Sequence, residues 1–569
     1  MSSPVRVALA LATISTAALP LSAQCIEWTT SAELPGTDSI NDRIYALETY
    51  DPGTGAVLAA GGSFHSLGGV PADAVAAWNG STWSAIDVGF PPGAAPTAVA
   101  QALFASGSDL YVGGSAQLNA STQHEGLVAR AGSTPALLGT FTVLGSSVNA
   151  AIYAFAFDGS LYAAGRFNLV DGIPAGYVAR YTGAGWEQLG TGLGVGSDPG
   201  YPFYGVRALA FFDDGNGEHL YAAGFFFNAG GMTVEGIARW NGSQWSGVGD
   251  TLGLRDFAAL AVFDDGTGAA LYAAGGSNIT NQYSVARFDG TSWSFIANPA
   301  FRVQSLCVFD DGGGAALYAA GTFTSLGSVA ANRVAKWNGS VWSTLGAGIT
   351  SSPPTPGVPA QVSALEGFDD GSGFGPALYV GGQFTHAGSD VASSIAAWKH
   401  CSPAGTPFCF GDGSLATPCP CAPPLTVPNP SGAPGHGCAN SFEPSGARLF
   451  ASGTTNPDTL RLHTVLQTPS AFSMFFSGTA SVASGSAVGD GVRCADGALV
   501  RFGRQNAAGG AILYPLALLG LTQPVSSVSG VTPGSGVTRF YQAIYRDTSA
   551  TFCNPGRFNL TNALEIVWN

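Results

Sequence analysis

Between residues 25 and 400 the chain is written in short apolar runs broken by Gly, Asp and Asn, with almost no stretch holding the 3.6-residue period of an amphipathic helix. Runs that end in an aromatic, such as ALAVF at 259–263 and SLCVF at 305–309, are followed by tight polar turns. Four of those turns read Asp213-Asp214-Gly215, Asp264-Asp265-Gly266, Asp310-Asp311-Gly312 and Asp369-Asp370-Gly371. Asp-Gly favours a hairpin because glycine accepts the positive φ that such turns require. The next run is LYAAG at 161–165, 220–224, 271–275 and 317–321, with VLAAG at 57–61 and LYVGG at 110–114 and 378–382 as variants. A Gly-rich polar loop leads to a third run, VAKW at 334–337, and after Asn338-Gly339 to a fourth, VWSTL at 341–345. The pattern predicts four short strands per unit.

Anchored on Leu58, Tyr111, Tyr162, Tyr221, Tyr272, Tyr318 and Tyr379, the unit recurs seven times at intervals of 46–61 residues. Asn338-Gly339, read as a two-residue turn, sets Trp337 opposite Ser340, with Trp342 one pair further along as a diagonal neighbour. The opposite face carries Val334, Lys336 and Val341, so each sheet is partly apolar on both sides. Repeated sheets with two buried faces predict an all-β, seven-bladed β-propeller. Unit seven stops at IAAWKHC, 395–401, without a fourth strand, and CIEWTTSAEL at 25–34 matches the missing piece. The N-terminal segment is therefore expected to supply the outer strand of blade seven. That would place Trp28 at the position of Trp342 and join Cys25 to Cys401.

The order LYxGG, Phe, loop, VAxWNGSxW, xLG resembles kelch-type repeats, and more closely those of fungal cortical cell-polarity marker proteins and related bacterial secreted proteins. The likeness covers 25–400 and implies a propeller but no single activity. Unit two departs from it, since ARAGSTPALL at 129–138 has lost both aromatics. From Cys401 the phrasing changes to a Pro-, Gly- and Cys-rich stretch, read as a stapled linker over 401–438, and then to strand-like alternation over 439–569, read as a small β-sandwich. CFGDGS…CPC…PGHGCANS and the ending RFYQAIYRD…FNLTNALEIVW resemble a module at the C-termini of large secreted proteins of planctomycete-type bacteria.

Composition narrows the functional classes. Only 10% of the 569 residues are charged, the formal net charge is −15, and there are 81 glycines. The acidic balance excludes the basic face that nucleic-acid binding needs. Arg6, the apolar run VALALATISTAALPL and Leu21-Ser22-Ala23 form a secretory signal over 1–23, leaving the propeller at 24–400 and a secreted or surface-associated monomer with no membrane span. Nine cysteines suit an oxidising compartment. Cys494 is expected to pair with Cys553, leaving Cys409, Cys419, Cys421 and Cys438 to pair among themselves and Cys307 as a buried free thiol.

No GxSxG, HExxH or P-loop occurs, so no catalytic residue and no metal site is assigned. Propeller sites usually lie on the face formed by the loops between strands two and three and by the blade connections. Here that face offers His65, His386, Asp42 and Arg43 as ligand-binding candidates, and its axis is expected to be lined by small and hydroxyl side chains. His65 and His386 follow GGSF and GGQF, but two nitrogen ligands without a third are incomplete for zinc or copper. Calcium at the Asp-Asp-Gly turns is the one cofactor candidate. The leading expectation is a non-enzymatic protein that binds an extracellular glycan or a surface protein. The alternative is a polysaccharide-active hydrolase, lyase or oxidase on the same face, distinguished by three or more ionisable side chains converging near the axis.

Overall fold

The structure, a computed structural model, describes residues 26–29, 34–39, 41–88, 98–118, 124–131, 135–143, 148–194, 204–277, 282–351, 360–371, 375–388, 390–400, 405–419, 432, 436–442, 444–453, 455–456, 458–507, 510–515, 520–547 and 557–568. The expected signal segment, together with Cys25, Cys401, Cys421 and Cys553, lies outside them. The chain forms two compact units, one spanning Glu27–His400 and one that takes in Cys401–Asn569.

The first unit is a β-propeller. Seven blades are present among the described residues, six as four-stranded sheets and one as the four-stranded run from Val99–Ser106 to Ala136–Thr142 inside a six-stranded sheet. Blade 1, for example, runs Arg43–Tyr50, Val57–Ser63, Val75–Trp78, Trp83–Ala85 from the axis outward, and blade 5 runs Asp256–Asp264, Ala269–Ser277, Gln282–Phe288, Trp293–Ala297. The innermost strands of blades 2, 3, 4, 6 and 7 are Val99–Ser106, Ala151–Phe157, Gly205–Asp213, Val303–Asp310 and Gln361–Phe368, and all seven adjoin in cyclic order. The second strands are the most buried, because both of their faces meet neighbouring blades: in Ala315–Gly321 every residue after the first is buried. Register places Ala59, not Leu58, at the tyrosine position of the other blades. Leu58 pairs with Trp78 as Leu317 pairs with Trp337.

The tryptophan pair is closer than a two-residue turn allows. Trp337 pairs directly with Trp342 across the four residues Asn338–Val341, with ring centroids 5.3 Å apart, and Trp78–Trp83 and Trp240–Trp245 repeat this. The turn is wider because the Asn338 side-chain oxygen accepts the N–H groups of Ser340 and Val341 at 3.0 and 2.9 Å. Gly339 has φ 95°, and a Cβ there would also meet the Asp265 carbonyl of the preceding blade at 2.8 Å. A Cβ on Gly80 would come closer still to the Asp370 carbonyl. Gly80→Ala is expected to cost about 2 kcal/mol or more in a denaturant melt, since strain and clash coincide.

Why the phrase ends in xLG follows from the next contact. The second tryptophan of a blade donates its indole N–H to a backbone carbonyl in or just after the preceding blade's outer strand. Trp245 bonds Leu189 at 3.0 Å, Trp293 bonds Val248 at 2.8 Å and Trp186 bonds Leu138 at 2.8 Å. The glycine after that leucine leaves room for the first tryptophan: a Cβ on Gly190 would sit 3.0 Å from the Trp240 ring. Sequence repeat and blade interface are one feature. Blade 2 carries no such indole, and its contact with blade 1 rests on an apolar cluster including Tyr50, Val75, Leu103, Val112 and Leu127.

Ring closure is as expected. Ile26–Trp28 forms the outer strand of blade 7 beside Ile395–His400, and Thr29 N–H donates to the Ala397 carbonyl at 2.9 Å. Trp28 packs on Trp398 at 5.1 Å and donates to Leu345 of blade 6 at 3.0 Å, while Trp83 of blade 1 donates to Pro35 at 2.8 Å. The two ends of the propeller sequence thus take the places of one continuous repeat.

The second unit is a β-sandwich. A five-stranded sheet, Thr406–Phe408, Arg557–Trp568, Val537–Asp547, Phe472–Gly478, Val500–Asn506, faces a three-stranded one, Arg448–Ser452, Arg461–Val465, Ile512–Tyr514. They share a core of Leu449, Leu462, Phe475, Tyr541, Leu564 and Trp568. The cysteine-rich stretch read as a linker contributes an edge strand, Phe408 pairing with Ala563. That strand sets Cys409 against the hairpin strand Gly491–Asp496, so Cys494 bonds Cys409 rather than Cys553, with Cα atoms 6.0 Å apart. Cys419 bonds Cys438 at a Cα distance of 5.7 Å. Two disulfides fit an oxidising, extracellular setting.

Candidate functional site

Each innermost strand of the propeller carries a register shift near its start, between Ile44 and Ala46 in blade 1 and between Val206 and Ala208 in blade 4. The same shift occurs in the other five blades. The extra residue of such a bulge is free of the ladder and re-aims its side chain. Around the ring the bulged residues are Tyr45, Gln101, Tyr153, Arg207, Ala258, Gln304 and Ser363. These strands lie at the centre of the molecule, yet Tyr45, Gln101, Tyr153, Arg207, Gln304 and Ser363 are only partly buried. Partial exposure there marks a solvent-accessible axial channel, and the bulges form its mouth on the loop-rich face.

The mouth is polar and incompletely paired. Arg207 forms an ion pair with Asp256, the first residue of the next blade's inner strand, and Arg302 approaches the same Asp256 oxygen at 2.7 Å. Burial pulls Arg207 below the usual guanidinium range, Asp256 opposes this, and Arg302 adds to it. Arg43 lies over the Tyr45 ring at 5.0 Å. Among the described residues Arg43 Nε, Gln101 Oε1 and Gln304 Oε1 are buried without a hydrogen-bond partner. Such atoms are uncommon in folded proteins and point to an occupant, water or ligand, that completes them. The expectation of small and hydroxyl side chains at the axis is therefore overturned at this end.

Deeper in the channel the lining changes. Three residues beyond each bulge stand Glu48, Phe104, Ala156, Ala210, Ala261, Cys307 and Glu366 in blades 1 to 7. Innermost strands are sheet edges with spare N–H groups, and two of these side chains cap the neighbour's. Glu48 Oε1 accepts the Ala105 N–H of blade 2 at 3.0 Å, and Glu366 accepts from Thr49 of blade 1. Burial raises both carboxyls, Glu48 to about 8 with Glu366 adding to the rise, and Glu366 to about 7. Cys307 is free, as expected, but stands half-buried on the channel wall rather than sealed in a core. Burial pushes its thiol up to about 12, with Glu366 contributing.

Of the four candidates from sequence, Arg43 is at the mouth. Asp42 is raised by burial, and the nearby His65 opposes that rise while Asp38 adds to it, so Asp42, His65 and Asp38 stand together beside Arg43. His386 lies elsewhere, on a hairpin of blade 7 whose strand His386–Ala387 pairs with Ile349–Thr350 at the edge of blade 6, and its Nδ1 meets Thr385 Oγ1 at 2.9 Å. No group of three metal-binding side chains occurs among the described residues. In the Asp-Asp-Gly turns the first carboxylate accepts glycine N–H groups, as Asp264 does from Gly266 and Gly268 at 2.9 and 3.1 Å. The second accepts a tyrosine hydroxyl, as Asp265 does from Tyr272 at 2.8 Å, and pairs with a third-strand cation, Arg287 at 3.1 Å. The turns at 213–215, 264–266 and 310–312 thus have internal partners for both carboxylates.

No protein-family profile matches the chain, and no curated protein does. Among solved structures it is similar to the GH74 xyloglucanase of Xanthomonas campestris, with 14% identity and a TM-score of 0.40 over 69% of this chain and 58% of that one. It is also similar to the V. cholerae biofilm matrix protein Bap1, with 9% identity and a TM-score of 0.23 over 80% and 64%. A third is a GH32 β-fructofuranosidase of Bombyx mori, with 9% identity and a TM-score of 0.22 over 84% and 92%. The chain thus spans less than two thirds of the length of the first two.

Proposed function

We propose that the chain is a secreted or surface-held binding protein that takes a glycan at the axial mouth of its propeller. The observation that carries this reading is the ring of bulged side chains with unpartnered buried atoms, Gln101 and Gln304 among them. Amide and guanidinium groups at fixed spacing suit a hydroxyl-rich ligand, and Tyr45 and Tyr153 supply aromatic surface beside them. Asp42 and His65 extend the same face outward. A glycan array probed with the purified protein tests it. Gln101→Ala and Gln304→Ala together are expected to weaken the captured glycan about tenfold, one unsatisfied hydrogen bond each, with melting unchanged. An array that stays blank across glycan classes would sink the reading in favour of a protein partner.

A second reading, a polysaccharide-active enzyme, draws on the convergence of Arg207, Asp256 and Arg302. These three meet the criterion of converging ionisable side chains, but two cations on one carboxylate orient a ligand without supplying the carboxyl pair that glycoside hydrolysis uses, and the adjoining Glu48 and Glu366 deeper in the channel accept from Ala105 and Thr49. The appearance of new reducing ends or unsaturated products when the captured glycan is incubated with the protein would establish the enzyme.

A further inference from the structure

We infer that the mouth is built for an oxyanion: the glycan it holds carries a carboxylate or sulfate group, which docks on Arg207 and Arg302 with Arg43 on the same ring. This deepens the proposed function and rests on it.

The argument starts from charge. The chain carries a net −15, yet in blades 4 to 6 the mouth sets Arg207 and Arg302 against one shared carboxylate, Asp256, a local balance of +1. Arg207 and Arg302 both turn to the same oxygen of Asp256. Arg302 Nη2 reaches it at 2.7 Å but outside hydrogen-bonding geometry, so it has a counter-charge without a bond. Arg43 Nε has no hydrogen-bond partner among the described residues. A guanidinium held in this way has lost water without regaining an acceptor, which is costly unless a second anion arrives. The planar fork of arginine matches the two oxygens of a carboxylate or sulfate, and such paired bonds are about twice as strong as neutral ones. Gln101 and Gln304 then meet the neutral hydroxyls around the anionic group. A neutral glycan would satisfy the amides and leave the arginines as they are.

Titration calorimetry with a galacturonic acid pentasaccharide, its methyl ester, a sulfated oligosaccharide and its desulfated form tests this. At least one acidic probe is expected to bind about tenfold or more tightly than its neutral counterpart, weakening as salt rises. Arg207→Gln and Arg302→Gln should each lower the acidic probe's affinity by a larger factor than the neutral probe's, measured on protein that circular dichroism shows to be folded, since the Arg207–Asp256 pair also contributes to stability. Asp256→Asn should tighten acidic binding by removing the competing carboxylate, whereas a purely structural arginine cluster predicts no gain. Equal affinity for charged and neutral forms, or loss of both together in Arg207→Gln, overturns the oxyanion but leaves the glycan reading standing. Binding of no carbohydrate at all overturns both.

Discussion

Replacing Trp28 by alanine is expected to destabilise the propeller by about 4 kcal/mol, the range for removing a buried aromatic. Trp28 is 5% exposed, packs on Trp398 and bonds the Leu345 carbonyl of blade 6. Unlike every other outer-strand tryptophan it comes from the opposite end of the propeller sequence, so its loss weakens the seam of the ring as well as one interface. Trp28→Phe keeps most of the packing but lacks the indole N–H, leaving the Leu345 carbonyl unpaired at a cost of about 1 kcal/mol. Trp342→Ala is the control, since its indole bond to Ile296 is long, 3.5 Å, and its blade is covalently continuous. Urea unfolding followed by near-UV circular dichroism should rank Trp28→Ala below Trp342→Ala. A midpoint for Trp28→Ala equal to that of the unaltered protein would mean that the N-terminal strand does not close the ring.

Much of this architecture is legible in the sequence because the repeat is a contact rule. A phrase that recurs in nearly every unit, such as LYAAG or WNGSxW, is one whose neighbours are also repeats, so Trp245 and Leu189 are written at the same positions of successive units. Even the closing strand is visible, since CIEWTT carries the tryptophan that unit seven lacks. The turn is harder to read. Asn-Gly signals two residues, but Asn338 caps two N–H groups with its side chain and widens the loop to four, which sets the two tryptophans directly opposite each other with tilted rings. The site is hidden for the opposite reason. Tyr45-Ala46-Leu47, Gln101-Ala102-Leu103, Arg207-Ala208-Leu209 and Ser363-Ala364-Leu365 share the step x-Ala-Leu, and the variable x is the residue the bulge turns into the mouth. Alternation alone gives no sign of a bulge, so x looks like one more ladder position. The signal is a residue that varies before a step that is Ala-Leu in five of the seven blades. The Cys409–Cys494 bond has no such signal, because a three-residue edge strand inside a Pro-rich stretch falls below any periodicity.

The largest pH effect should come from the carboxyls midway down the channel. Glu48 and Glu366 are raised from 4.5 to about 8 and about 7, by burial first and, for Glu48, by the neighbouring carboxyl. A raised folded-state value means that the folded protein holds its proton longer than the unfolded chain. The stabilising contribution is therefore complete below pH 4.5, declines as the unfolded carboxyls ionise above it, and is gone once pH passes about 8. A tenfold change in proton affinity between the folded and unfolded chains corresponds to about 1.4 kcal/mol. The two sites interact, so the pair should cost the folded state about 3–5 kcal/mol between pH 4.5 and 8. Glu48→Gln with Glu366→Gln removes the titration while each amide oxygen keeps accepting from Ala105 or Thr49. That double variant should match the unaltered protein near pH 4.5, exceed it by about 3 kcal/mol at pH 8, and show a flatter stability profile in between. Urea midpoints at intervals across that window give the comparison, and the difference between the two proteins isolates these carboxyls from every other titrating group. If the two profiles run parallel from pH 5 to 8, the channel keeps both carboxylates hydrated. Glu48 and Glu366 would then be ordinary ionised acids on a wet wall rather than protonated caps on the edges of adjoining blades.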